Sequence, residues 1–297
     1  MNERKRQVIN HAKRLFLEKG YRNTSIQDIL EDSNISRGTF YNYFPSKEEL
    51  FKAVYDSFLE EHHARRDELL FGQDLGDIEV FIAQLRLHMT TSFHNRFFIL
   101  IEDVMNSNEK DVKDFIKQTR WLYINWLNNR LADVFGEEKK PYLLDCSIIL
   151  ASLLHHYVYF YVAAKGDDKI EEVIRYCLER VKTILDDVSK RDIKLLEPAV
   201  LHGFIPDGLK GNRDLRYELL QRTNQLKRCM QDLDDSKRAG FTQMVDFIQD
   251  EIMHQQHPRP ILVKTVLSSL DQEPYFLEMD IFNSYKELVH IWIDNEM

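Results

Sequence analysis

GYRNTSIQDILEDSNISRGTFYNYFPSKEELF, residues 20–51, reads as two short helices joined by a tight turn and the opening of a longer third. Thr24, with Gln27 three residues on, has the form of a capping box for a short helix through Leu30. Ser33-Asn34-Ile35-Ser36 reads as a tight turn, and Arg37 to Tyr43 as a second short helix that Phe44-Pro45 stops. Ser46 and Glu49 form another capping box and open a longer helix through Leu50, Val54 and Phe58. The second short helix would expose Arg37, Gly38, Thr39, Asn42 and Tyr43 while Ile35 and Phe40 anchor it inward. Guanidinium, hydroxyl and amide groups with no large aliphatic among them suit a major groove: Arg forks onto guanine, and Thr meets a thymine methyl. Helix N-termini at Thr24, Ser36 and Ser46 can each turn backbone N–H groups towards a phosphate.

On the N-terminal side, Val8, Ile9, Ala12, Leu15 and Phe16 form a helical stripe that Gly20 ends. Arg4-Lys5-Arg6 and Lys13-Arg14 read equally well as phosphate contacts or as a solvated face. The 297-residue chain is 43% apolar and 30% charged, with only 10 Gly and 7 Pro, which leans towards an all-α protein. Its net charge of −9 argues by itself against a nucleic-acid binder. The charge is uneven, however. Residues 1–57 carry 10 Lys/Arg against 8 Asp/Glu, and the remaining 240 carry 30 against 41, so a weakly basic end can meet phosphates while an acidic body faces away.

The 20–51 stretch resembles the DNA-binding domain of the TetR family of bacterial transcriptional regulators. The residues that carry the resemblance are Gly20-Tyr21, Thr24-Ser25, Ile29, Gly38-Thr39, Tyr41, Tyr43-Phe44 and Ser46-Lys47-Glu48-Glu49-Leu50, without a gap over residues 4–58. One departure is Leu30-Glu31-Asp32-Ser33-Asn34, where the family has small residues and a glycine; Asn34 can replace that glycine because Asn tolerates positive φ. The resemblance implies that Arg37, Gly38 and Thr39 face bases or the nearby backbone. It implies that Tyr41, Tyr43 and Lys47 grip phosphates, with Thr24, Ser25 and Gln27, and that Phe40 and Phe44 are core. It also implies an all-helical homodimer on a palindromic operator, whose last two ligand-domain helices pair with the partner's. Residues 142–164 and 168–188 sit where those helices belong. A small apolar or amphipathic effector in the body would control DNA binding.

Three segments are expected: a helix-turn-helix domain at 1–58, a helical ligand-binding and dimerisation domain at 59–190, and a helical C-terminal extension at 191–297. Helices are expected at 78–94, 110–135, 142–164 and 168–188, the last with a stripe from Ile170 to Val188. Phe97, Trp121, Tyr123, Trp126, His155 and Tyr159 could line an effector pocket or be ordinary core and interface. Ser147 to Ala164 holds no charged residue and would reach about 27 Å, but His155, His156 and three tyrosines favour a buried interface helix over a membrane span. Residues 191–211 concentrate Pro and Gly and read as a linker, followed by helices near 213–233, 237–255, 261–270 and 284–295, the last capped by Ser284 and Glu287 and burying Leu288, Val289, Ile291 and Trp292.

Cys146, Cys177 and Cys229 lie far apart and read as reduced thiols of a cytoplasmic protein. His254 and His257 have helical spacing, but Pro258 ends that helix and no ligand partner stands near, so neither a metal nor a cofactor is expected. No phosphate loop, dinucleotide fingerprint, zinc-protease or nucleophile-elbow motif occurs, which speaks against an enzyme. The sequence therefore points to a ligand-released repressor. The alternative is a DNA-bound architectural or cell-division factor that recruits a protein through residues 191–297.

Overall fold

The computed structural model describes residues 3–70, 73–94, 97–166, 169–204, 207–253, 255, 258–277 and 279–296, and among these it is helical with no strand. The helices are α1 (Glu3–Lys19), α2 (Ile26–Ser33), α3 (Arg37–Tyr43), α4 (Lys47–Glu68), α5 (Ile78–His94), α6 (Phe97–Met105) and α7 (Lys110–Phe135). They continue with α8 (Lys140–Lys165), α9 (Ile170–Arg191), α10 (Val200–Phe204), α11 (Asp207–Cys229), α12 (Asp235–Met253), α13 (Pro260–Asp271) and α14 (Asp280–Glu296). The chain forms two compact units, one of Met1–Phe71 with Gly76–Phe204, the other of Gly72–Leu75 with Ile205–Met297.

In the first unit, the α1 stripe is buried as its spacing requires, against Ile29, Phe40, Leu50, Phe51 and Val54. Asn34 ends α2 in the left-handed region at φ 50°, ψ 48°, taking the backbone shape for which the family uses glycine. The expected cap of α2 is displaced by one residue. Ser25 is the N-cap and Asp28 its reciprocal partner, whereas Thr24 is fully buried and donates its hydroxyl to the Gly20 carbonyl at 2.7 Å. Thr24 faces the α1 end, so its side chain closes the turn instead of capping the next helix. The helix opened by Ser46 does not stop near Phe58 but continues to Glu68, because its buried stripe runs on through His62 and Arg66.

The expected body helices form, and α6 adds an element whose nine residues are too few for a clear helical stripe in the sequence. Residues Glu137–Lys165, which include α8, are long and apolar enough to cross a membrane by length and composition. In the unit α8 packs along α7 and α9, with Leu143, Leu144, Leu150, Leu154 and Val158 inward. Tyr157, Tyr159 and Phe160 of α8 and Tyr176 of α9 remain exposed. All three cysteines are free, and burial pushes the Cys146 and Cys177 thiols up to about 11.

The second unit has its own apolar core, with Leu219, Leu226, Val245, Ile248, Val263 and Phe276 among its buried residues. The carboxylate of Glu251, 1% exposed, accepts the Arg259 backbone N–H at 2.9 Å and is ion-paired with its guanidinium, which fixes the entry to α13. Two expectations are corrected. Residues 207–211 belong to α11 although they include Gly208 and Gly211, each a penalty of about 1 kcal/mol that a 23-residue helix absorbs. The last helix begins at Asp280, four residues before Ser284, and its register leaves Ile291 51% exposed while Ile293 is buried. His254 and His257 lie outside the described residues.

Candidate nucleic-acid interface

α3 is fixed from both ends and from beneath. Ser36 caps it, its hydroxyl accepting the Thr39 backbone N–H at 3.1 Å and lying 2.9 Å from the Thr39 hydroxyl. The Phe44 N–H closes the other end on the Phe40 carbonyl at 2.9 Å. Phe40 is fully buried, Phe44 nearly so, and Ile35 packs against the same cluster. Seven residues make too short a helix to persist alone, so this anchoring gives α3 its form. Its outer side exposes Arg37, Gly38, Tyr41 and Asn42, with Thr39 and Tyr43 half-buried. No hydrogen bond or ion pair engages Arg37 among the described residues, whereas Arg6, Arg14 and Lys19 of α1 are paired with carboxylates. The free guanidinium thus stands on the short helix rather than on α1.

The residues expected at phosphates divide. Ser25 and Gln27 are exposed at the start of α2, Gln27 donating to Glu31 at 2.8 Å. Tyr41 is 47% exposed. Lys47 is half-buried with its ammonium 4.1 Å above the Tyr21 ring, and burial lowers its pKa from the ordinary lysine value. Buried Thr24 offers no side-chain surface to a phosphate.

The turn at 20–24 is clamped onto the body. Gly20 has φ 86°, and a Cβ there would stand 3.1 Å from the Asp103 carboxylate. That carboxylate accepts the Arg22 backbone N–H at 2.9 Å and its Nε at 2.7 Å, and the Tyr21 hydroxyl donates to Glu109. Glycine suits this position because its φ of 86° lies in the left-handed region that other residues rarely adopt.

Among the residues proposed for a pocket, Tyr123 and Trp126 are together, rings stacked at 5.8 Å, and Trp121 is half-buried on the same helix. His155 and Tyr159 lie on the exposed part of α8, apart from Tyr123 and Trp126, with Tyr159 59% exposed. The Phe97 side chain lies outside the described residues. Sequence reasoning missed His62, Arg66 and His88, which gather around Tyr123 and Trp126. The readable signal was a polar residue at 62 and again at 66, continuing the i, i+4 stripe of Leu50, Val54 and Phe58.

Residues 8–54 match the family described as bacterial regulatory proteins, tetR family. An HTH-type transcriptional regulator of Bacillus subtilis strain 168, YerO, is 26% identical over 285 residues, 91% of this chain and 90% of YerO. A second from that strain, YuxN, is 22% identical over 280 residues, 92% of this chain and 93% of YuxN. An HTH-type transcriptional repressor of Rhodococcus jostii, KstR2, is 25% identical over 133 residues, 44% of this chain and 61% of KstR2. Alignments that cover over nine-tenths of the chain cannot omit 191–297, so that extension is shared with YerO and YuxN rather than peculiar to this sequence. The match at 8–54 marks those residues as a TetR-type DNA-binding domain, and over nine-tenths of its length the chain is similar to HTH-type transcriptional regulators, which together make it a DNA-binding regulator.

Proposed function

We propose that this regulator is a homodimeric, non-enzymatic cytoplasmic repressor that reads a palindromic operator through α3 and is released by a small effector in the α4–α9 body. The single observation that carries this reading is the outer side of α3. It is capped by Ser36, held by buried Phe40, and exposes Arg37, Gly38 and Asn42. In this reading Arg37, Gly38, Thr39, Asn42 and Tyr43 meet bases and the adjoining backbone, while Ser25, Gln27, Tyr41 and Lys47 position the phosphates. The exposed aromatic residues of α8 and α9 supply the dimer contact, and two-fold symmetry makes the operator a repeated half-site. The resemblance to KstR2, named a repressor, supports repression over activation. Effector binding acts by displacing α4 and with it the spacing of the two reading helices.

Selection of bound duplexes from a random DNA pool tests it. Wild type is expected to recover one palindrome, and an Arg37→Ala/Tyr43→Ala double variant to lose it, each base contact being worth about 1–3 kcal/mol. Recovery of the same palindrome by the variant at equal strength would remove α3 from the reading role.

A further inference from the structure

Most cations of α1 are spent within the chain. Arg6 is paired with Glu3 at 2.7 Å, Lys13 with Glu61 at 2.9 Å, Lys19 with Asp28 at 2.6 Å, and Arg14 with Asp32. Lys5 differs. No carboxylate pairs with it among the described residues, and its ammonium stands 5.1 Å over the Phe44 ring. An ion pair cancels a charge, whereas a ring face only steers it, since the ring has no net charge and the contact is worth about 0.5–1 kcal/mol at an exposed site. Lys5 therefore keeps its whole charge and is given a direction.

That direction is the end of α3. Phe44 directly follows the helix, and its ring meets that of Tyr43 edge-on at 6.4 Å. Lys5, Tyr43, Pro45 and Lys52 line one open groove of about 280 Å³. Glu49 and Asp56 of α4 line it too, but Glu49 is engaged by Lys52 at 2.7 Å. Asp56 lies nine residues beyond the start of α4, about 14 Å down the helix and away from the Phe44 end where Lys5 stands. The same device holds Lys47, whose ammonium rests 4.1 Å above the Tyr21 ring. Lys13 also stands over a ring, that of Phe58, but its charge goes to Glu61. Free positive charge thus flanks α3, with Arg37 opening it and Lys5 beside its cap. Lys5 lies outside residues 8–54, so the family match assigns it no role.

We propose that Lys5 is a further DNA contact, its ammonium taking a backbone phosphate beside the one at Tyr43. The contact extends the footprint from α2, α3 and α4 to the first helix. An ammonium on a phosphate is a point charge that reads no base edge, so it adds affinity and leaves sequence preference unchanged. The inference rests on the reading of α3 as the DNA-reading helix.

Fluorescence anisotropy of the full chain on two labelled duplexes, the selected palindrome and a random sequence, over about 50–200 mM salt tests it. Each phosphate neutralised on duplex DNA contributes about 0.9 to the slope of log affinity against log salt. Lys5→Gln and Lys5→Met remove the charge and keep a side chain over Phe44. Each is expected to flatten the slope by about 0.9 per bound copy and to weaken binding roughly three- to tenfold per copy, equally on both duplexes. Lys5→Arg should keep the wild-type slope, and Arg6→Gln, whose charge is already paired, should leave it nearly unchanged. An unchanged slope in the neutral variants, a loss confined to the palindrome, or an equal loss in Arg6→Gln overturns the proposal. If selection yields no palindrome, the random duplex still carries the test, because phosphates are common to both. A recovered palindrome with an unchanged slope in the neutral variants refutes the Lys5 contact alone. Wild type that binds neither duplex refutes the reading role of α3 and the contact with it.

Discussion

His62 shows what burial does to a single group. In an unfolded chain its imidazole titrates near 6.5, whereas desolvation first, and then Arg66 and Arg65, bring it to about 4 in the folded protein. His88 and His63 face it, and neither offers a negative charge. Between those two values the unfolded chain holds more protons than the folded one, so stability present above pH 6.5 is lost as pH falls towards 4. The whole window is worth on the order of 3 kcal/mol. Urea midpoints at pH 7.5, 5.5 and 4.5 should fall more steeply for wild type than for His62→Gln; parallel curves would show that the group is not desolvated as described. The polar atoms of this cluster were poorly legible in the sequence. Positions 62, 88, 123 and 126 are linked only when three helices far apart in the chain pack together. Arg37, Gly38, Thr39 and Asn42 were legible because their roles depend on one short helix and on the nearby anchor Phe40.

At the scale of elements, capping decides where the short helices begin and end. Asn34 occupies the left-handed region, and its backbone N–H donates to the Glu31 and Leu30 carbonyls. Asn34→Gly should leave stability unchanged or slightly raised, while Asn34→Ala should cost about 1 kcal/mol, because only alanine pays the Cβ penalty without a side-chain amide to offset it. Denaturant midpoints of the two variants provide the comparison, and equal midpoints would mean that the turn relaxes to negative φ. Helices with long apolar stripes, α5, α7, α8 and α9, were readable with ends correct to a few residues. Errors fell where local chemistry is ambiguous. Thr24 and Ser25 are both good caps, and only tertiary burial of the first selects the second. Gly208 and Gly211 suggested a linker, but glycine in a long helix is a tolerable cost.

For the molecule as a whole, the exposed aromatic face of α8 and α9 carries the strongest expectation. Phe160 is 67% exposed and Tyr159 59%, beside Tyr157 and Tyr176, whose rings touch at 5.4 Å. If this face joins two copies, Phe160→Glu places a charge in the contact and should shift sedimentation from dimer towards monomer. Operator affinity should fall with it, since each copy then binds one half-site alone. A variant that sediments as wild type would move the dimer contact elsewhere. The class of fold was evident from composition and periodicity alone. The independent core of the second unit was not, because Leu219, Val245, Val263 and Phe282 acquire a common centre only after four helices close around them.

The unbroken course of α4 has a mechanical consequence. From Lys47 to Glu68 it is one rod of 22 residues, about 33 Å long, with no proline or glycine to act as a joint. Lys47 rests on Tyr21 at one end, and His62 and Arg66 lie in the aromatic cluster towards the other. Such a rod transmits motion by tilting as a lever. A swing of about 10° about one end would carry the other through roughly 6 Å, given that length. A sub-ångström adjustment among the aromatic rings close to a fulcrum could thus reach the reading end as a displacement comparable to the rise of a base pair.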